Sequence, residues 1–271
     1  MRLVTIRTAD GTRAGRLDGD RVVPLDAPDV AAVLDVGLDN VGQGGSPLDL
    51  ADADLAPLVP RPSKIICLGL NYRSHIEEMG AELPEHPTLF AKFPAALIGA
   101  RDPIQLSDAS KAVDWEAELA FVIGRRVRNA DADEAADAIG GYTICNDVSM
   151  RDWQWRTSEW LQGKTWEGST PLGPALVTPD EVDHAADLLL RCEVDGDMVQ
   201  EARTCDLLFK PADIVSYVST VVTLEPGDVF STGTPGGVGA GMQPPRFLKS
   251  GEVVRTSIEG LGELVNECVK S

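Results

Sequence analysis

Val113-Asp114-Trp115-Glu116-Ala117-Glu118-Leu119-Ala120-Phe121-Val122-Ile123-Gly124 is the stretch that decides the fold. It reads as one largely apolar β-strand carrying carboxylates, Glu116 and Glu118 among them, where a buried strand should carry none. Side chains alternate along a strand, so Glu116 and Glu118 point the same way. Two like charges beside a core repel each other and lose hydration. A divalent cation is the simplest compensation, and hard carboxylate oxygens suit Mg²⁺, Mn²⁺ or Ca²⁺. The alternative from the strand alone is an edge strand with a solvated acidic face.

Outward from this stretch the chain stays rich in short apolar runs. Lys64 to Leu70, Gly141 to Asp147, Leu188 to Val194 and Val229 to Thr232 read as strands, as do the runs from Glu252 to Ile258 and Gly262 to Val269. Pro211 to Val222 reads as a helix. Many short strands with Gly/Pro turns and few long helices predict a β-rich α+β chain built as a sandwich or a coiled sheet. At 271 residues the chain sits at the upper edge of what one core serves. Pro60-Arg61-Pro62-Ser63 punctuates it. Residues 1–60, with turns at Asp10-Gly11 and Asp18-Gly19-Asp20, are expected to form a small strand-rich N-terminal domain, and residues 61–271 the main one.

A formal charge of −19 argues against binding to nucleic acid or an anionic membrane surface, since both need basic surface. No apolar run approaches the roughly 18 residues that span a bilayer, and the start lacks the apolar core of a signal peptide. Cys67, Cys145, Cys192, Cys205 and Cys268 are odd in number and contain no C-x-x-C pair. That pattern fits reduced thiols and a cytoplasmic setting.

Asp147 ends the apolar run from Gly141, a place where a rigid scaffold holds a site residue. With Glu116 and Glu118 it would leave half of an octahedral shell open for substrate and water. The alternative is that Asp147 caps a helix running through Trp153 to Leu161. His75 and Glu78 lie three apart, on one face of a short helix bounded by Gly80. A carboxylate beside an imidazole raises its basicity for work on water; the alternative is a solvated surface pair. Lys164 and Arg151 are candidates for holding a substrate carboxylate or a developing enolate. Thr232-Gly233-Thr234-Pro235-Gly236-Gly237-Val238-Gly239 lacks the Gly-Lys-Ser/Thr ending of a P-loop, so its glycines serve a close backbone approach or a tight turn.

Taken in order, these pieces resemble the fumarylacetoacetate hydrolase family from about Lys64 to the C-terminus. The marks are Gly69-Leu70-Asn71-Tyr72 with His75 and Glu78, Asp114-Trp115-Glu116-Ala117-Glu118-Leu119, Asn146-Asp147-Val148-Ser149-Met150-Arg151-Asp152, Gly163-Lys164 and Thr232-Gly233-Thr234-Pro235. The resemblance implies a coiled β-roll core and a homodimer, with Mg²⁺ or Mn²⁺ on Glu116, Glu118 and Asp147. It makes His75 and Glu78 a water-activating dyad on a lid. It also places Arg151, Gln154, Lys164 and Thr234 against the oxygens of a small 2-oxo acid substrate.

The expected reaction is hydrolysis of a carbon–carbon bond in a 2,4-dioxo acid of acylpyruvate type, through an enolate stabilised by the metal, with Lys164 offsetting charge on the head group. The alternatives are oxaloacetate decarboxylation, isomerisation or decarboxylation of a dienedioate, and, in another class, a non-catalytic metal-binding scaffold. The loop from Gly80 to Thr88 and the segment from Gly237 to Leu248 are expected to shape the pocket for the substrate's tail.

Overall fold

The computed structural model describes residues 1–78, 80 and 82–270, and the side chain of Glu78 lies outside the described residues. The expected β-rich α+β class holds. Among the described residues, an eleven-stranded sheet and a five-stranded sheet carry the fold, with a two-stranded ribbon beside them. Six short α-helices among the described residues accompany them, the longest of these being Pro211–Val221. No helix of the described residues is long and apolar enough to cross a membrane.

Ala117–Ile123 lies at the centre of the large sheet, antiparallel to Ile139–Asn146 on one side and to Val229–Ser231 on the other. Every residue of it is buried. Its odd-numbered side chains, Leu119, Phe121 and Ile123, enter one apolar core, and its even-numbered Ala120 and Val122 enter a second. Coverage of both faces is why this strand reads as a continuous apolar run. Val253–Ile258, in the smaller sheet, instead alternates exposed Val253 and Arg255 with buried Val254, Thr256 and Ile258. The edge-strand reading of the acidic stretch is therefore wrong: Glu118 replaces an apolar residue on the Ala120–Val122 face.

The stretch is also not one strand. Val113–Asp114 pairs with Ser149–Met150, and the ladder resumes only at Ala117. At the break, Glu116 N donates to Asn146 Oδ1 at 3.0 Å and Asp147 N donates to Glu116 O at 2.8 Å. A side chain thus stands in for one rung of the ladder and lets the chain turn without orphaning its backbone.

The N-terminal strand Arg2–Thr8 pairs antiparallel with Thr170–Val177. The strands Gly11–Asp18, Arg21–Pro24 and Leu48–Asp49 extend the same sheet beyond it. The buried Thr5 hydroxyl ties this part inward, donating to Leu58 O at 2.6 Å. The smaller sheet runs in the order Asp197–Arg203, Leu189–Val194, Val253–Ile258, Gly262–Lys270 and Ile104–Leu106.

Candidate active site

The chain brings three acidic side chains together: Glu118 on the central strand, Glu116 just before it, and Asp147 just after the neighbouring strand Ile139–Asn146. Carboxylate oxygens of Glu116, Glu118 and Asp147 lie within 4.8 Å of one another, and all three residues are buried. Asp147 does not cap the helix that follows. That helix is only Arg151–Gln154, with Met150 at its N-cap, and the next is Leu161–Lys164. The carboxylate of Asp147 is instead taken by two buried ammonium groups, Lys92 Nζ at 2.5 Å and Lys164 Nζ at 2.9 Å.

Lys164 Nζ also donates to Glu116 Oε2 at 2.5 Å. Arg151 reaches Glu116 Oε1 at 2.6 Å and Asp114 Oδ2 at 2.8 Å, and donates to Gln154 Oε1 at 2.9 Å. Asp114 is further held by the N–H groups of Trp115, Gly239 and Ala240. The buried cluster thus sets four carboxylates against three cations. Glu118 is the carboxylate held by neutral groups: its Oε2 accepts from the Ser231 hydroxyl at 2.5 Å and from Gly233 N at 2.8 Å. Its Oε1 is buried with no hydrogen-bond partner.

Electrostatics follow from this layout. Burial pushes the Glu118 carboxyl well above the usual carboxylate range, and Asp147 and Glu116 push it the same way. Burial also raises Asp147, but the ammonium groups of Lys164 and Lys92 outweigh it and hold Asp147 at about 2. Lys164 is lowered by burial and raised more by Asp147 and Glu116, so it stays charged. An orphaned carboxylate oxygen facing two further carboxylates is a donor set for a hard divalent cation. The residues present fit that group.

Above this floor opens a cavity of ≈ 540 Å³. His75, Glu116, Arg151, Gln154, Lys164 and Thr234 all line it, while Leu68, Phe90, Trp155 and Trp160 give it apolar walls. Gly237, Val238 and Ala240 to Met242 line it too, whereas none of the described residues from Gly80 to Thr88 does. His75 sits half-buried on the helix Arg73–Glu78. The base of that helix is fixed: Asp206 Oδ2 accepts from Ser74 N and Oγ, and the Asn71 amide donates to Thr232 O at 2.8 Å. The partnership expected of Glu78 with His75 lies outside the described residues. Thr234 donates its hydroxyl to Ala117 O at 3.0 Å.

Three participants were not singled out from sequence. Lys92 carried a usable signal, since it stands in the apolar run Phe90-Ala91-Lys92-Phe93 as the glutamates do in theirs. Asp114 carried the same signal, two residues before Glu116 in the same run, and Gln200, whose Oε1 accepts from Ala117 N at 2.9 Å, carried none.

Residues 64–269 match the family described as fumarylacetoacetate (FAA) hydrolase C-terminal, and the chain belongs to that family of enzymes. Residues 1–57 match a second family, Rv2993c-like, N-terminal. Among individual proteins, oxaloacetate tautomerase fahd2, mitochondrial, of Xenopus laevis is 42% identical over 288 residues, covering 99% of this chain and 90% of that one. The structure of fumarylacetoacetate hydrolase from psychrophilic Exiguobacterium antarcticum aligns with a TM-score of 0.87 at 33% identity, over 100% of both chains. That of 5-carboxymethyl-2-hydroxymuconate delta-isomerase from Mycobacterium smegmatis gives 0.85 at 36%, again over 100% of both.

Proposed function

We propose that this chain interconverts the keto and enol forms of a short 2-oxo acid of the oxaloacetate type, with Mg²⁺ or Mn²⁺ on Glu116, Glu118 and Asp147. The observation that carries this reading is that His75, Glu116 and Lys164 line one cavity, with carboxylate oxygens of Glu118 and Asp147 within 4.8 Å of that of Glu116. The 42% identity to the oxaloacetate tautomerase of Xenopus laevis supports the choice of substrate.

The bound cation supplies positive charge where enolate charge develops. Lys164 has three N–H groups and gives two to Glu116 and Asp147, so the third serves the substrate's carboxylate or 2-oxo oxygen. Arg151 and Gln154, locked to each other, orient the same end of the substrate. His75 takes a proton from C3 of the keto form and a proton returns at the C2 oxygen, so nothing is gained or lost overall. The apolar walls keep bulk water from the enolate.

Hydrolysis of a 2,4-dioxo acid is the second reading, with His75 acting on water. The cavity supports it, because ≈ 540 Å³ lies in the range that takes drug-sized ligands rather than four-carbon diacids. A cytoplasmic setting and a homodimer belong to the same proposal. The five free cysteines support the first, and exposed Phe93 and Trp155 the second.

The test follows enol-oxaloacetate decay and pyruvate release from acetylpyruvate in parallel, with Mg²⁺ and with EDTA. Faster enol decay that is lost in EDTA and in His75→Ala, with slow acetylpyruvate cleavage, is the expected result. Rapid pyruvate release from acetylpyruvate would put hydrolysis first. Inertness toward both would remove the proposal.

A further inference from the structure

Ala117 is the peptide between the two glutamates of the candidate cation site. The register of Val229–Ser231 covers Val122 to Ala120, one further backbone bond runs from Thr232 N to Leu119 O at 3.0 Å, and past it side chains take over the pairing on this edge of the central strand. Ala117 N donates to Gln200 Oε1 at 2.9 Å. Gln200 Nε2 donates to Thr234 Oγ1 at 2.8 Å and to Pro235 O at 3.0 Å. Thr234 Oγ1 donates to Ala117 O at 3.0 Å, which closes a ring of three hydrogen bonds. The Ala117 N–H fixes which end of the Gln200 amide is oxygen, and so fixes the sense of the whole ring.

Gln200 comes from Asp197–Arg203, in the five-stranded sheet, and is 2% exposed. The loop after Thr234 lies directly on that strand: a Cβ at Gly237 would stand 2.0 Å from Val199 O and 3.2 Å from Gln200 Cγ. The same short segment, Ser231 to Thr234, also holds Glu118 through the Ser231 hydroxyl and Gly233 N. One side chain from the second sheet therefore ties down both the peptide between the acidic residues and the loop that grips one of them.

We infer that Gln200 is a positioning residue: its amide closes the ring that sets the spacing of Glu116 and Glu118, and so tunes the cation site. The inference rests on the cation-site reading above. It has a second consequence for Thr234. That hydroxyl spends its proton on Ala117 and one lone pair on Gln200. It presents to the cavity one remaining lone pair, and accepts from a substrate hydroxyl such as an enol O–H rather than donating to a substrate carboxylate.

Mn²⁺ titration of the full chain, followed by the electron paramagnetic resonance of free Mn²⁺, tests this. Gln200→Met keeps length and removes the amide; Thr234→Val removes the other side-chain member. Each is expected to weaken Mn²⁺ by roughly 10- to 100-fold, the range for residues that orient metal ligands. The double variant should be no weaker than the weaker single, because both act through one ring. Melting of each metal-free protein separates this from unfolding. Wild-type affinity in Gln200→Met, or effects that multiply in the double variant, would overturn the inference. If Gln200→Met does not fold, unchanged Mn²⁺ affinity in Thr234→Val overturns it equally. Failure of the wild-type chain itself to bind Mn²⁺ contradicts the underlying cation site and takes the role of Gln200 with it.

Discussion

The ammonium of Lys92 lies 2.5 Å from Asp147 Oδ1, and both side chains are fully shielded from solvent. Removing one member of such a pair leaves the other charged and buried, which costs about 3–5 kcal/mol. Lys92→Met is therefore expected to lower unfolding stability by about that amount, read from urea midpoints. The pH dependence has a definite sign. Asp147 is held below its ordinary 3.8 at about 2, so its contribution is complete above that ordinary value and is lost as pH falls through about 2. In Lys92→Met the loss should begin at higher pH. A variant as acid-stable as the wild type would show that Lys164 alone suffices.

His75 lines the cavity but lies outside the carboxylate cluster. His75→Ala is expected to slow turnover by about 10²–10⁴-fold, the usual weight of a positioned acid–base group, while Mn²⁺ affinity stays at the wild-type value. Calorimetric Mn²⁺ titration beside the activity assay checks both. Loss of metal affinity in this variant would assign His75 to the cation site instead.

Gly69 carries the wall of the cavity. A Cβ there would stand 2.4 Å from Cζ3 and 2.7 Å from Cη2 of Trp160, whose ring packs edge-on against Phe90 with centroids 5.6 Å apart. Gly69→Ala must push this indole aside, at a cost of about 1–3 kcal/mol. It should change KM more than the melting of the rest of the fold would suggest. Unaltered KM and stability would mean that the wall yields freely.

The cysteines give a prediction independent of catalysis. Burial raises the thiols of Cys67 and Cys145, and pushes Cys192 and Cys268 up to about 12. Cys205 is exposed, and its hydrogen bond to Asp187 raises it too. Ellman's reagent at neutral pH should find one slowly reacting thiol in the native protein and five after denaturation. Asp187→Asn removes what holds that thiol protonated, so the native reaction should become faster. Several rapidly reacting native thiols would contradict the packing around the other four.

How much of this the sequence discloses depends on the range of the interaction. Strands buried on both faces, such as Ala117–Ile123, announce themselves as unbroken apolar runs, and the long helix shows its Pro211 start. Charged residues inside such runs pointed to Glu116, Glu118 and Asp147 as neighbours. The break at Trp115–Glu116 was not legible, because a side chain, Asn146, replaces the ladder there. Nor was the partnership of Gln200 with Ala117, 83 residues away and from another sheet. An amide in an ordinary amphipathic hairpin strand looks like any solvated glutamine until the two sheets are packed.

Deuterium wash-in at C3 of a 2-oxo acid is the most direct measurement of the central claim, that this site makes and protonates an enolate. The substrate in D₂O, with Mg²⁺ and the purified chain, would be followed by proton NMR against the same mixture without protein. Loss of the C3 proton signal well ahead of the protein-free rate, abolished by EDTA and by His75→Ala, is what the account predicts. Exchange at the protein-free rate, with substrate nonetheless consumed, would contradict it.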